Sequence, residues 1–139
     1  MGARDVFVDS GAFHALLVRN DPHHQNAATW LQRIQKERRG LVTTDYIVDE
    51  TVTLLKARHV SQQVPRFFEV LQKSDFLVLE WIGEDRFFTA CDFLLKHSDH
   101  AWSFTDCTSF VVMKEMEICD ALTADRHFHE AGFVPLLLR

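Results

Sequence analysis

Five short apolar runs, none long enough to be anything but a strand, punctuate this chain: 6–8, 41–43, 76–79, 118–123 and 134–138. Between them lie segments with apolar residues at helical spacing. Strands that alternate with helices, and that read as nearly unbroken apolar runs, belong to a parallel sheet covered on both faces. The fold class is therefore α/β, and the 139 residues suffice for one domain, 1–139, with its own core.

The helical segments carry their own punctuation. Ser10 is placed to cap a helix that turns Phe13, Leu16 and Leu17 inward. Asp21-Pro22 predicts a cap with proline at the first helical position, and Gly40 predicts that helix's end. Thr44 caps a helix running to about Arg58, with Ile47, Val48, Thr51, Leu54 and Leu55 on one face. Val64, Phe67, Phe68 and Leu71 mark another, which either Ser61 or Pro65 could begin. Glu84-Asp85 begin a helix ending near Leu95, 97–104 is a polar loop, Asp106 opens the next helix, and Arg126–Ala131 is a short helix stopped by Gly132.

Composition narrows the setting. No apolar run approaches the ~18 residues of a membrane span, and Gly2 alone is a poor lipidation signal. Three cysteines, odd in number and without CxxC spacing, predict buried free thiols in a reducing cytoplasm. Twelve phenylalanines predict an aromatic-rich interior.

In a parallel sheet, residues just beyond the carboxyl ends of strands converge on one crevice. Asp9 follows the first strand, Asp125 follows the fourth, and Asp106 stands at a helix start. At ~100° per residue, Glu50 falls on the flank of its helix's apolar face, while Asp49 points toward water. Four converging acids suit a hard divalent cation, which takes oxygen ligands and leaves room for a phosphate. Two such ions can activate water for in-line attack on a phosphodiester. Each acid alone could be a helix cap, a turn residue or a solvated acid.

The remaining polar residues divide more plainly. Asp120 lies toward the amino end of its strand, away from the crevice, and Asp45 and Asp49 read as solvated helix acids. His97, His100, His127 and His129 lack the partner set of a zinc site. His127 could touch a phosphate, but packing beside Phe128 is the preferred reading, and Cys107, a candidate nucleophile by its place next to Asp106, reads better as a buried thiol. The basic helix end with Arg38 and Arg39 suits the negative end of a helix dipole and offers contacts to an RNA backbone. A net charge of −5 argues against a general polyanion-binding surface but leaves room for a nuclease with local cations.

Four stretches, VFVDSGAF (6–13), VTTDYIVDET (42–51), SFTDCTSF (103–110) and LTADRHFHEAGF (122–133), resemble PIN domains in the family's order. Within that family the chain is similar to the VapC-type toxins of bacterial toxin–antitoxin pairs. The resemblance implies a five-stranded parallel sheet of order 3-2-1-4-5 flanked by helices. It implies an Mg²⁺- or Mn²⁺-dependent endoribonuclease acting on single-stranded or looped RNA, with acids at Asp9, Glu50, Asp106 and Asp125. Thr105 and Ser10 match hydroxyl positions that support the acids or the attacking water. The resemblance further implies 5′-phosphate and 3′-hydroxyl products, a small antitoxin encoded alongside, and a toxin homodimer. Two rivals are a catalytically silent RNA-binding PIN domain and a haloacid-dehalogenase-like phosphatase. The second needs an Asp two residues after Asp9, where this chain has Gly11.

Overall fold

The computed structural model describes residues 4–139, so Gly2 lies outside the described residues. Its sheet has five parallel strands in the order β3-β2-β1-β4-β5. They are β1 (Val6–Val8), β2 (Leu41–Thr44), β3 (Leu77–Glu80), β4 (Asp120–Leu122) and β5 (Val134–Pro135). Seven α-helices complete the described residues: α1 (Ser10–Leu17), α2 (His24–Lys36), α3 (Asp45–Ala57), α4 (Val64–Lys73), α5 (Gly83–Lys96), α6 (Phe104–Glu115) and α7 (Arg126–Glu130). Among these residues no helix is long and apolar enough to cross a membrane.

The central strand explains the layering. Val6, Phe7 and Val8 are all buried because β1 has a strand on each edge and helices over both faces. Register pairs Val6 with Leu41 on one side and Asp120 on the other, so β1, β2 and β4 end at one level. Opposite the edge strand β3 the sheet stops early. The expected strand 134–138 pairs only through Pro135 and continues as a 3₁₀ turn over Leu136–Leu138, because proline brings no N–H to a ladder. The third strand is shifted one residue, to Leu77–Glu80, and the fourth is shortened to Asp120–Leu122.

Several helix boundaries correct the sequence reading. Asp9, not Ser10, caps α1, its Oδ1 accepting from the Ser10 N–H at 2.8 Å. Helix α2 starts at His24, two residues past the expected proline. Asp21 instead accepts from the His23 N–H at 2.7 Å and also meets His14 in a buried pair. Its end is also different: Arg38 takes the left-handed turn (φ 57°), with Arg39 N–H bonded to the Ile34 carbonyl at 3.1 Å. Gly40 follows the turn, and a Cβ there would sit 2.8 Å from Asp5 Oδ1, so that side chain would have to swing aside. A 3₁₀ turn over Ser61–Gln63 leads into α4, which places Pro65 in its first turn. Asp45 is not a solvated acid but accepts from the Ile82 N–H at 2.8 Å, tying α3 to the start of α5. Of the three free cysteines only Cys107 is buried, while Cys119 is exposed.

Helix α6 occupies the interior. Every residue from Asp106 to Met113 is buried, so its polar members must find partners. Thr108 and Ser109 donate to the Thr105 carbonyl at 2.6 and 3.2 Å. Phe110 on this helix meets Phe128 of α7 edge to face at 5.0 Å, and Phe128 in turn lies 6.2 Å from Phe7 of β1. Burial of each such ring is worth about 2 kcal/mol. The three rings lock α6, α7 and the central strand together, and that lock positions the acids described next.

Candidate metal centre

The crevice opens beyond the carboxyl ends of β1 and β4, where Asp9, Glu50, Asp106 and Asp125 line a cavity of about 390 Å³. No Lys or Arg is among its lining residues; His127 is the one basic side chain there. The four acids foreseen from spacing thus come together, from four different elements.

Each is held by a distinct set of contacts. Asp9 follows β1 and is nearly buried; its Oδ1 caps α1, and its Oδ2 accepts from Thr123 Oγ1 at 2.8 Å. Burial, only partly offset by those hydrogen bonds, pushes its carboxyl up to about 7, with the charges of Glu50 and Asp106 adding to the effect. Glu50 lies on the inward flank of α3 and accepts from Ser10 Oγ at 2.6 Å, whereas Asp49 is exposed. Its carboxyl is also raised, first by partial desolvation and then by the surrounding acids.

Asp106 differs from expectation in its local role. Ser103, not Asp106, caps α6, and the two form a reciprocal capping box. The Asp106 N–H donates to Ser103 Oγ at 3.0 Å, and the Ser103 N–H donates to Asp106 Oδ2 at 3.1 Å. Asp125 caps α7 by accepting the His127 N–H at Oδ1, 2.9 Å. Capping and crevice lining are therefore not rivals at Asp106 or Asp125, because one carboxylate oxygen serves each purpose. Among the described residues, Asp106 Oδ1, Asp125 Oδ2 and Glu50 Oε2 have no hydrogen-bond donor.

His127 is the site residue that spacing missed. It does not pack in the core, a role Phe128 fills. Its Nδ1 lies 2.9 Å from Asp106 Oδ2 and 3.5 Å from Asp125 Oδ1. Partial burial disfavours the imidazolium, but the Asp106 hydrogen bond and the nearby acids outweigh it and raise the ring's pKa. One atom from each of Asp106, Asp125 and His127 falls within a mutual 4.8 Å, a span that a single cation could bridge. The available signal is the Asp-x-His spacing just past a strand end.

Other expected site residues lie elsewhere. Ser10 joins the crevice through its bond to Glu50. Thr105 is not among the lining residues and serves α6 through its carbonyl; Ser103 lines the cavity instead. Arg38 and Arg39 precede β2, at the amino ends of the strands and so at the opposite end of the sheet from the crevice. Arg39 donates to Asp120 Oδ2 at 2.6 Å and to the Arg4 carbonyl at 2.7 Å, so its charge is already committed within the fold. Cys107 is no nucleophile, since burial and Asp106 push its thiol up to about 11. Gly11 lines the crevice where a dehalogenase-like phosphatase would need its second aspartate, so that acid has no counterpart at this position.

The donor set fits a divalent cation: Asp106, Asp125 and His127 each offer an atom within a mutual 4.8 Å, and no Lys or Arg competes in the lining. Asp106 and Asp125 would hold it with His127 beside them, and Glu50 and Asp9 line the same crevice.

Comparison with known proteins places the fold and the sequence in a family. A family profile described as PIN domain matches residues 6–134. The chain is 30% identical over 130 residues to the 23S rRNA-specific endonuclease VapC20 of Mycobacterium tuberculosis, in strains CDC 1551 / Oshkosh and ATCC 25618 / H37Rv, covering 93% of this chain and 95% of the relative. The crystal structure of Mycobacterium tuberculosis VapC20, described as a sarcin-ricin loop cleaving toxin, superposes with a TM-score of 0.81 at 28% identity, over 94% of this chain and 97% of that one. With family profile, sequence and fold in agreement, the chain belongs to the PIN-domain family and is of the VapC type.

Proposed function

We propose that this chain is a metal-dependent endoribonuclease, the toxin of a toxin–antitoxin pair, acting in the cytoplasm as a single PIN domain on single-stranded or looped RNA. The observation that carries this reading is the meeting of Asp9, Glu50, Asp106 and Asp125 in one crevice with no Lys or Arg to neutralise them. Mg²⁺ or Mn²⁺ is the cofactor such oxygens suit. When bound, ions of this class lower the pKa of water and stabilise charge on a leaving phosphoester oxygen.

The chain's own residues do the positioning. Thr123 and the Ser10 N–H fix both oxygens of Asp9, and Ser10 Oγ fixes one oxygen of Glu50. His127 and the Ser103 N–H orient Asp106 through the same oxygen and leave its other oxygen free. Asp9, whose carboxyl is raised to about 7, would give up its proton to take part in cation binding, so cation affinity should rise with pH. Hydrolysis then leaves 5′-phosphate and 3′-hydroxyl ends, as family membership suggests. Membership equally supports a small antitoxin that occludes the crevice and a homodimer as the assembly.

The relative's target makes a sarcin–ricin-type RNA hairpin the first substrate to try. Purified chain, free of any partner, should cut that hairpin with Mg²⁺ or Mn²⁺ and stop in EDTA. Cleavage at full rate in EDTA, with no metal found by elemental analysis, overturns the metal-dependent reading. Binding without cleavage under any divalent ion would make the chain a silent RNA-binding PIN domain.

A further inference from the structure

Beside the acid crevice lies a second cavity of about 480 Å³ with the opposite chemistry. Arg126, His129 and Arg139 rim it, Phe133, Pro135 and Leu138 form an apolar floor, and no Asp or Glu side chain lines it. Among the described residues none of the three forms an ion pair, as is true of most Lys and Arg side chains here; what sets the groove apart is that three basic side chains share one rim. Arg126, His129 and Arg139 are exposed. Cationic groups left unpaired together around an apolar floor suit a phosphate with its base or ribose.

Helix α7 is the wall between the two cavities. Arg126 and His129 are three residues apart and share one side of it, while His127, about 100° round from Arg126, faces the acids. Asp125 in the crevice and Arg126 in the groove are consecutive, so their backbones are about 3.8 Å apart. The core contact of Phe128 with Phe110 and Phe7 holds this wall rigid.

We propose that the groove of Arg126, His129 and Arg139 is an RNA subsite: it holds the phosphate and base of a nucleotide flanking the scissile bond, while the acid crevice holds the bond itself. The inference rests on the endoribonuclease reading. A strand bound this way crosses the start of α7, leaving the crevice for the groove within a nucleotide or two. The cationic groove supplies the affinity for phosphate that the acid-lined crevice lacks without its cation. Its volume falls within the range of small-ligand pockets, about 300–1,000 Å³.

Equilibrium binding of a short fluorescent single-stranded RNA, measured in EDTA over a series of KCl concentrations, tests the groove without cleavage. The doubly substituted Arg126→Gln/Arg139→Gln protein should bind about tenfold more weakly or worse. Its log–log salt slope should be shallower by about 1.4, or ~0.7 per lost phosphate contact on a single strand. Arg126→Lys should restore part of the affinity, and Lys73→Gln, on the far edge of the sheet, should change nothing. Thermal melts establish that each variant is folded. Unchanged affinity and salt slope in the folded double variant overturns the subsite, as does loss of binding to an Asp/Glu-rich peptide alone, which would assign the groove to a protein partner. Wild-type protein that does not bind this RNA overturns it as well. Cleavage of the same RNA under Mg²⁺, measured in parallel, reports separately on the endoribonuclease reading.

Discussion

His127 Nδ1 stands 2.9 Å from Asp106 Oδ2, bridging a short helix past β4 to the interior helix α6. The contact makes Asp106 a two-sided residue, with one oxygen taken by the histidine and by Ser103 and the other facing the crevice. Partners that orient metal-binding carboxylates typically matter 10- to 100-fold in metal affinity or activity, as an order of magnitude (~10–100-fold). His127→Ala should therefore lower Mn²⁺ affinity and cleavage by roughly that factor. Isothermal titration and single-turnover cleavage check this. Wild-type values for both would mean that the imidazole only fills space.

Glu50 and Asp49 provide a discriminating pair because α3 turns them to different surroundings. Glu50→Gln should cut the cleavage rate by about 100-fold or more, while Asp49→Asn should leave it intact. Ser10→Ala, which frees Glu50 Oε1, should fall between them. Equal loss in Asp49→Asn and Glu50→Gln would defeat the assignment of Glu50.

Asp9 predicts how metal-free stability varies with pH. An unfolded aspartate titrates near 3.8 and this one at about 7, so the folded state holds the proton more tightly. The stabilisation from protonated Asp9 is complete below about pH 4 and is lost as pH rises through 7. The full difference corresponds to roughly 4 kcal/mol, at about 1.4 kcal/mol per pH unit. In EDTA the wild type should melt lower at pH 8 than at pH 5, and Asp9→Asn should lose most of that dependence while abolishing cleavage. Mg²⁺ should then raise the melting temperature of the wild type more than that of the variant. Parallel melting curves for the two proteins across this range would refute the raised carboxyl.

Arg39 predicts a loss of stability without a loss of RNA affinity. Its guanidinium is largely buried against Asp120, 81 residues on, so Arg39→Gln leaves an acid without its partner. Such a change costs about 1–3 kcal/mol. Denaturant unfolding should show it, with the salt dependence of RNA binding unchanged. A shallower salt slope in Arg39→Gln would return that residue to the RNA-binding surface.

These cases mark what patterns in the chain can and cannot convey. The placement of Asp9 and Asp125 is legible because apolar runs fix where strands end, and Glu50 is legible because helical periodicity separates it from Asp49. His127 is not, because in a helix of five residues no periodicity distinguishes its face from that of Phe128. Arg39 looks like a solvated helix end until Asp120 arrives beside it through sheet pairing that local sequence does not encode. Gly40 marks the end of α2, yet the residue that takes the left-handed turn is Arg38. The length of the fifth strand follows from one proline, a signal present in the sequence and outweighed there by the apolar run around it.

The hydrogen bond from Thr123 to Asp9 spans 114 residues, and β4 enters the sheet beside a strand formed near the start of the chain. Such distant pairings carry the largest loop-closure cost and form late. A growing or truncated chain that stops before Asp120 would already contain Asp9, Glu50 and Asp106, but not the strand that aligns them, nor Thr123, Asp125 or His127. The crevice is thus an all-or-none feature of this fold: a chain lacking the residues from Asp120 onward carries three of its acids but not the strand that brings them to the fourth.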